Sequence, residues 1–165
     1  MIVYLVGMPG SGKSVVGQEL AARLGVPFVD LDHEVERDSG ASVSEIFHEQ
    51  GERSFRAKEA AALVKASTQD PSVVACGGGV VLEPANRITL RATGACVFLD
   101  VALDQLRERV RPAEDRPLIR QEGDLDRLLR EREPLYREFA AHVVDGSGGP
   151  GDVAAAIIEE LRWSA

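Results

Sequence analysis

Apolar residues along this chain cluster in short runs, and longer amphipathic segments separate these runs. Five apolar runs read as strands, at 2–6, 27–32, 72–76, 95–100 and 142–146. Between them the apolar positions recur with a helical period, over 13–24, 32–38, 43–66, 84–92, 103–111, 124–141 and 150–163. Almost continuously apolar strands that alternate with helices are typical of a parallel sheet covered on both faces. The pattern therefore predicts a three-layer α/β fold.

One stretch breaks this pattern. RPAEDRPLIRQEGD, residues 111–124, carries two prolines, one glycine and many charges without a helical or strand period. It is either a solvated loop or a lid over a site. Because a structureless segment of this length is uncommon in a compact domain unless it serves a function, we favour the lid.

Composition narrows the possible functions. The chain has 165 residues, 44% of them hydrophobic, which predicts one globular domain with its own core. Its net charge of −8 argues against non-specific nucleic-acid binding, which needs a basic surface. The 16 arginines against 3 lysines reflect either genomic base composition or side chains that bind anions.

The two cysteines and the N-terminus bear on location. Cys76 and Cys96 lie in apolar runs, which predicts buried free thiols in a reducing cytoplasm and neither a disulfide nor a metal site. The sequence has no window of 18 apolar residues, and the chain enters a strand at once without a basic leader. We therefore expect a cytoplasmic protein that does not span a membrane.

The strongest motif is GMPGSGKS, residues 7–14, which fits G-x-x-x-x-G-K-[ST] between a predicted strand and a predicted helix. Gly7, Gly10 and Gly12 allow positive φ angles, so that the loop N–H groups can surround an anion. The following helix adds its N-terminal dipole. Lys13 would reach the β- and γ-phosphates, and Ser14 would offer its hydroxyl to Mg²⁺. The motif predicts binding of a nucleoside triphosphate with Mg²⁺.

The acid that accompanies this motif has two candidate locations. Asp30 and Asp32 stand in PFVDLD, where strand alternation would place both carboxylates on one side. One could then serve the metal and the other an acceptor hydroxyl. The alternative for Asp32 is a helix cap. Asp100 ends another strand, but it reads more simply as the cap of the helix that follows.

Two further segments carry candidate residues. CGGGV places Gly77, Gly78 and Gly79 at the end of a buried strand, where ligands of open α/β sheets bind. Three glycines there indicate close approach of the backbone to another group. No aspartate follows this strand, which favours Asp30 as the metal acid. Arg56 in GERSFR reads either as a surface arginine of a helix or as an anion ligand.

The motifs GMPGSGKS, VDLD, GERSFR, CGGG, DRPLI and REREPLYRE, in this order, resemble the shikimate kinase family over about residues 2–163. The resemblance implies a P-loop fold of the nucleoside monophosphate kinase type, with a five-stranded parallel sheet in the order 2-3-1-4-5. It implies one kinase domain over 1–165, with a substrate-binding insertion near 32–60 and a lid near 110–123. The implied reaction is ATP-dependent phosphorylation of the 3-hydroxyl of shikimate, in aromatic amino-acid biosynthesis.

The resemblance also implies roles for particular residues. Asp32, Lys13 and Arg116 would be catalytic, with Arg116 offsetting transition-state charge from the lid. Asp30 and Ser14 would hold Mg²⁺. Arg109 would stack near adenine, and the nucleotide would contact Gly10, Ser11, Gly12, Lys13, Ser14, Val15, Arg109 and Arg116. Arg56 and Arg132 would clamp the carboxylate of shikimate, and the whole acceptor site would comprise Asp32, Arg56, Glu59, Gly77, Gly78, Gly79 and Arg132.

Departures from the family pattern and other functions stay in view. Val15 stands where the family often has threonine, and the loop DGSGGPGD lacks an arginine beside adenine. The alternatives are a related small-molecule kinase such as a gluconate kinase, a nucleotide-binding module without turnover, or a nucleoside monophosphate kinase. For partners we expect a small-molecule substrate, no nucleic acid, no membrane and a monomeric chain.

Overall fold

Five parallel strands form a single sheet at the centre of the molecule. The structure, a computed structural model, describes residues 1–110 and 117–163. The strands run in the spatial order β2-β3-β1-β4-β5, which confirms the predicted order. Their bounds are β1 Ile2–Val6, β2 Phe28–Asp30, β3 Ser72–Ala75, β4 Gly94–Asp100 and β5 His142–Asp145.

Helices cover both faces of this sheet, as the alternating pattern predicts. They are α1 Lys13–Leu24, α2 Leu31–Ser39, α3 Val43–Ala66, α4 Pro84–Thr93, α5 Leu103–Arg109, α6 Asp124–Phe139 and α7 Pro150–Trp163, with a short 3₁₀ turn at Val80–Leu82. Alternate residues of β1 enter two separate cores. Tyr4 packs with residues of α3, α4 and α6, whereas Leu5 packs with residues of α1 and α7. The three-layer α/β fold is therefore confirmed.

Strand β2 is shorter than predicted, and the reason is a helix cap. Asp30 ends the strand, and its Oδ1 accepts hydrogen bonds from the amides of Asp32 (3.1 Å) and His33 (3.4 Å). An aspartate at this position satisfies amides that have no partner within the helix. The prediction that Asp32 lies on the strand was wrong, and so was its alternative role as the cap. Asp32 instead occupies the first turn of α2.

Helix α3 has the predicted bounds but contains a sharp kink. A capping box begins it, in which Ser42 Oγ accepts from the Glu45 amide and Glu45 Oε2 accepts from the Ser42 amide. At Gly51 the backbone leaves helical geometry, with φ 84° and ψ 168°. A left-handed φ of this kind suits glycine. The two halves of α3 therefore take different directions.

Other predicted boundaries are corrected by a few residues. Helix α5 ends at Arg109 and helix α6 at Phe139, two residues earlier than predicted in each case. Asp100 does not cap α5, since the N-cap residue is Ala102; the Asp100 carboxylate instead accepts a 2.6 Å hydrogen bond from Arg137. Both cysteines are buried and free, as expected. Within the described ranges, no helix has the length and apolar character needed to cross a membrane.

Gly94 gives a direct test of packing within the sheet. A Cβ at this position would lie 2.3 Å from the carbonyl oxygen of Ile2 and 2.9 Å from the Tyr4 ring. We expect Gly94→Ala to lower the free energy of unfolding by about 2 kcal/mol, because a backbone oxygen cannot move aside cheaply. Urea denaturation measures the change.

Gly148→Ala is the matched control, since the nearest atom to its Cβ would lie at an ordinary 3.7 Å. Its free energy of unfolding should change by less than about 0.5 kcal/mol. Equal losses in the two variants would contradict the steric explanation.

Candidate active site

The loop between β1 and α1 has the geometry of a phosphate-binding loop. Gly10 and Gly12 adopt left-handed φ angles of 82° and 90°, and α1 begins at the next residue, Lys13. Lys13 Nζ donates to the carbonyl oxygens of Gly7 (2.9 Å) and Met8 (2.8 Å). The positive φ angles predicted for Gly7, Gly10 and Gly12 are thus present.

The environment of Lys13 disfavours its charge. Burial lowers the pKa of Lys13 to about 8, and the nearby Asp32 carboxylate only partly opposes this effect. A phosphate group in the loop would favour the ammonium form, because an opposite charge close by stabilises it. The loop is therefore prepared for an anion.

Ser14 and Asp30 meet beside this loop. Ser14 Oγ donates a 2.5 Å hydrogen bond to Asp30 Oδ2, while the other oxygen of Asp30 caps α2. A hydroxyl and a carboxylate are hard oxygen donors of the kind that Mg²⁺ binds, and Mg²⁺ takes its other ligands from phosphates and water. Within the described part of the chain, no group of three or more His, Cys, Asp or Glu could hold a metal. The pair thus fits Mg²⁺ accompanied by a polyphosphate.

Two adjoining cavities lie at the carboxyl ends of the strands. One, of about 340 Å³, contains the phosphate loop with Val15 at its rim. The other, of about 350 Å³, lies between α2, α3 and α6. Four residues line both cavities: Pro9, Asp32, Gly77 and Gly78. Asp32 therefore contributes the carboxylate that stands where the two cavities meet.

Asp32 is held in conditions that disfavour its ionised form. Its pKa is raised to about 6, first by burial and then by the negative charges of Glu59 and Asp30, with Lys13 acting in the opposite direction. Asp32 Oδ1 is buried, and no described residue forms a hydrogen bond with it. Glu59 Oε1 is likewise buried without a partner, but Glu59 is ion-paired to Arg56 through its other oxygen, whereas the structure gives the Asp32 carboxylate no ion pair among the described residues.

Two arginines line the second cavity. Arg132 is 2% exposed, and Arg56 is paired with the fully buried Glu59 through a 2.8 Å hydrogen bond from Nη1 to Oε2. Burial raises the pKa of Glu59, and pairing with Arg56 works against this rise. Glu52, half-exposed, is a second and longer partner of Arg56 at 3.3 Å. Guanidinium groups that are buried or largely buried next to a cavity are suited to a carboxylate ligand.

The three consecutive glycines make room for these charged groups. A Cβ on Gly77 would lie 2.3 Å from Glu59 Oε1, and one on Gly79 would lie 2.3 Å from Arg56 Nη1. A Cβ on Gly78 would lie 3.1 Å from Arg132 Nη1. The expected close approach of the backbone is therefore an approach to the charged side chains of the site.

Arg109 joins two loops at the carboxyl ends of the strands. Its guanidinium donates long hydrogen bonds to the carbonyl oxygens of Gly10 (3.3 Å), Gly146 (3.5 Å) and Ser147 (3.4 Å). These carbonyls belong to the phosphate loop and to the glycine-rich loop that follows β5. Arg116 and the predicted lid residues 111–116 lie outside the described residues.

Sequence reasoning missed several residues of the second cavity. Tyr136 supports its floor through a hydrogen bond from the phenol to the Gly78 carbonyl. Glu36 lines it while accepting from the Val43 amide at 3.0 Å. Its apolar wall comprises Val43, Phe47, Phe55, Pro117, Leu118 and Ile119. Apolar periodicity cannot separate such a wall from ordinary core. The one available signal was that Tyr136 follows Arg132 by a single helical turn.

The sheet order, the phosphate loop and the adjoining arginine-lined cavity define a P-loop kinase of the nucleoside monophosphate kinase type. A family model described as shikimate kinase matches residues 9–162. The chain belongs to the shikimate kinase family, a family of phosphotransferases that use ATP as phosphate donor.

Individual relatives agree over nearly the whole chain. The chain is 45% identical to a shikimate kinase of Aromatoleum aromaticum, over 98% of this chain and 95% of that protein. A solved shikimate kinase from Acinetobacter baumannii, in complex with shikimate, superposes with a TM-score of 0.95 at 36% identity and covers 99% of this chain and 93% of that one. A gluconokinase from Sinorhizobium meliloti reaches only 0.54 at 20% identity, over 99% of this chain and 96% of that one, which shows a shared fold alone. The gluconate kinase alternative is therefore not favoured.

The raised pKa of Asp32 predicts a stability effect. An aspartate whose pKa is higher in the folded than in the unfolded protein destabilises the folded protein when it is ionised. For Asp32 this loss of stability is complete above about pH 6 and disappears as the pH falls from 6 to about 4. We expect Asp32→Asn to raise the free energy of unfolding by about 1–2 kcal/mol at pH 8 and by little at pH 4. Urea denaturation in EDTA without nucleotide measures both values.

Asp104→Asn serves as the control, because that carboxylate is 91% exposed on α5. Its stability should change by less than about 0.5 kcal/mol at either pH. If Asp32→Asn instead lowers the free energy of unfolding at pH 8, the negative charge of Asp32 stabilises the folded protein, which would contradict its raised pKa.

Proposed function

We propose that the protein transfers the γ-phosphoryl group of ATP to the 3-hydroxyl of shikimate, forming shikimate 3-phosphate and ADP. The observation that carries this proposal is the position of Asp32, which lines both the phosphate-loop cavity and the arginine-lined cavity. Membership of the shikimate kinase family supports the same acceptor. The reaction belongs to aromatic amino-acid biosynthesis.

ATP would bind with its phosphates in the loop 7–14. The loop amides and the N-terminus of α1 stabilise negative charge there, and Lys13 would exchange its two carbonyl partners for phosphate oxygens. Arg109 lies between the phosphate loop and the loop after β5, and we assign it to the adenine side. That loop offers glycines and backbone groups, so adenine contact there would come mainly from the main chain.

Ser14 and Asp30 would hold Mg²⁺, since their oxygens already meet at 2.5 Å. The ion would neutralise charge on the transferring phosphates. Because Asp30 Oδ1 caps α2, the same residue fixes the first turn of the helix that carries Asp32. The proposed metal site and the acceptor carboxylate therefore share one support.

Asp32 would orient the attacking hydroxyl and accept its proton. A pKa of about 6 leaves the carboxylate ionised at pH 7–8 while making it more basic than an ordinary aspartate. An alcohol is a far weaker acid, but a loose phosphoryl-transfer transition state needs positioning and charge more than base strength. Its free Oδ1 is the oxygen available for this task.

The second cavity has the groups that a small hydroxylated carboxylic acid requires. Arg132 and Arg56 would bind the carboxylate, and Glu59 would hold Arg56 in place from the buried side. Backbone groups of Gly77, Gly78 and Gly79 would complete the floor. The apolar ring of shikimate would lie against Phe47 and Phe55, whose ring centroids are 4.8 Å apart.

The remaining assignments follow from this scheme. Residues 32–60 would form the acceptor-binding insertion, because α2 and most of α3 supply one side of the cavity. Residues 110–123 would act as a lid that excludes water as a competing acceptor, with Arg116 offsetting the transition-state charge. The chain would act in the cytoplasm as a monomer.

The function is tested by acceptor-dependent formation of ADP from ATP and Mg²⁺, with shikimate, quinate, gluconate and AMP compared side by side. Strong stimulation by shikimate alone is expected. In the same assay, Asp32→Asn should lower turnover about 10²-fold while ATP binding stays nearly intact. Stimulation by another acceptor would keep the phosphate site and reject the acceptor assignment. ATP binding without any stimulation would indicate a module without turnover.

Arg132 provides a sharper test of the acceptor site. We expect Arg132→Ala to raise the KM for shikimate about 10- to 100-fold, because the carboxylate loses a buried charged partner, while the KM for ATP changes less than about 3-fold. Steady-state kinetics measure both constants.

Arg130→Ala is the matched control, since Arg130 lies two residues away on α6 and is exposed. It should leave both constants unchanged. A rise in the KM for ATP alone in Arg132→Ala would place Arg132 on the nucleotide side.

A further inference from the structure

Tyr136 is fully buried beneath the acceptor cavity, and the proposed reaction gives it no role. It lies one turn after Arg132 on α6, and its hydroxyl donates a hydrogen bond to the carbonyl oxygen of Gly78. The ring stacks on Phe98 of β4, with centroids 5.1 Å apart and ring planes 24° apart. The ring and the hydroxyl are therefore both fixed.

The phenol is a donor at every working pH. Burial raises the pKa of Tyr136 to about 12, and the Arg132 guanidinium, which interacts with the phenol oxygen, opposes this rise. The phenol therefore keeps its proton, and this proton makes the hydrogen bond to the Gly78 carbonyl.

The bond to Gly78 also determines which way the next amide faces. The peptide between Gly78 and Gly79 is trans, so its C=O and N–H point in opposite directions. The Tyr136 side chain is part of the core, so its hydroxyl bonds the Gly78 carbonyl from the core side. The Gly79 N–H consequently faces away from the core, toward the cavity that Gly79 lines. Within the described residues, no backbone carbonyl accepts from it.

Glycine at position 78 makes this peptide mobile unless something holds it. A residue without Cβ can rotate its peptide plane at low cost. Pro9 and Arg132 each stand 3.1 Å from the place where a Cβ would be, so they limit its translation. Neither of these contacts holds the carbonyl, whereas the Tyr136 hydroxyl does so directly.

We propose that Tyr136 is a positioning residue for the acceptor: its hydroxyl holds the Gly78 carbonyl and so presents the Gly79 N–H to the carboxylate of the acceptor beside Arg132. This inference rests on the proposed function, because it takes the acceptor cavity to bind shikimate. Tyr136 does not touch the acceptor itself, and it acts through the backbone of the glycine segment.

The test compares Tyr136→Phe with Tyr4→Phe. The chain has two tyrosines, both 0% exposed, and the Tyr4 hydroxyl bonds to Thr93 Oγ1 at 2.7 Å, far from the acceptor cavity. Each variant loses one buried hydroxyl and one hydrogen bond, so a general effect on stability should be similar in both. Only the loss at position 136 frees the Gly78 peptide.

Shikimate binding is measured by calorimetry, and the KM for each substrate by steady-state kinetics. We expect Tyr136→Phe to raise the Kd and KM for shikimate about 5- to 20-fold, with kcat lowered less than about 3-fold and the KM for ATP unchanged. Tyr4→Phe should bind shikimate like the unaltered protein. The amide NMR signal of Gly79 should shift in Tyr136→Phe and stay in place in Tyr4→Phe.

An unchanged shikimate Kd in a folded Tyr136→Phe protein would overturn the proposal and leave Tyr136 as a packing residue. An unmoved Gly79 signal would overturn it too.

If Tyr136→Phe does not fold, Phe98→Leu removes the ring on which Tyr136 stacks and keeps the hydroxyl. That variant should raise the shikimate Kd about 2- to 5-fold, and no change would count against the proposal. If the unaltered protein does not bind shikimate, the proposed function is rejected. The shift of the Gly79 amide signal in Tyr136→Phe would still show whether Tyr136 positions the Gly78 peptide.

Discussion

The active site depends on keeping charged side chains out of water at the carboxyl ends of the parallel strands. Glu59 is fully buried, Arg132 almost so, and Asp32 and Lys13 both have pKa values displaced by burial. Isolated charges in such positions would be very costly. They are tolerated because each has an opposite charge, a backbone carbonyl or a prospective ligand beside it. The surrounding helices and the glycine segment serve to hold this arrangement.

This arrangement places function in conflict with stability. Asp32 is repelled by Glu59 and Asp30 before any ligand arrives, and Lys13 is bound to carbonyls of its own loop. A triphosphate with its metal and an acceptor carboxylate would supply the missing counter-charges. Ligands that bind only the folded state also stabilise it. Binding of such ligands would therefore raise the free energy of unfolding.

Much of the fold and part of the site could be predicted from the sequence. The strand order came with the family motifs, and the phosphate loop followed from the spacing of its glycines and Lys13. Asp32 was misplaced because a cap by Asp30 ends the strand earlier than apolar alternation suggests. Tyr136 and Phe47 were missed because a buried aromatic residue looks the same whether it faces a cavity or the core. Whether such a residue faces a cavity or the core depends on how segments that are far apart in the chain pack together, which the sequence pattern does not reveal.

The three glycines after β3 also limit how this site can change over time. Every amino-acid replacement of a glycine gives a larger side chain, and at these positions the added atoms would meet Glu59, Arg132 or Arg56. Substitutions at these positions are therefore excluded by the lack of space, whatever the chemistry of the new side chain. Val43 and Phe47, which belong to the apolar wall on α3, are only partly buried. New acceptor preferences, whether natural or selected in the laboratory, should consequently arise through residues such as Val43 and Phe47 while the glycines stay constant.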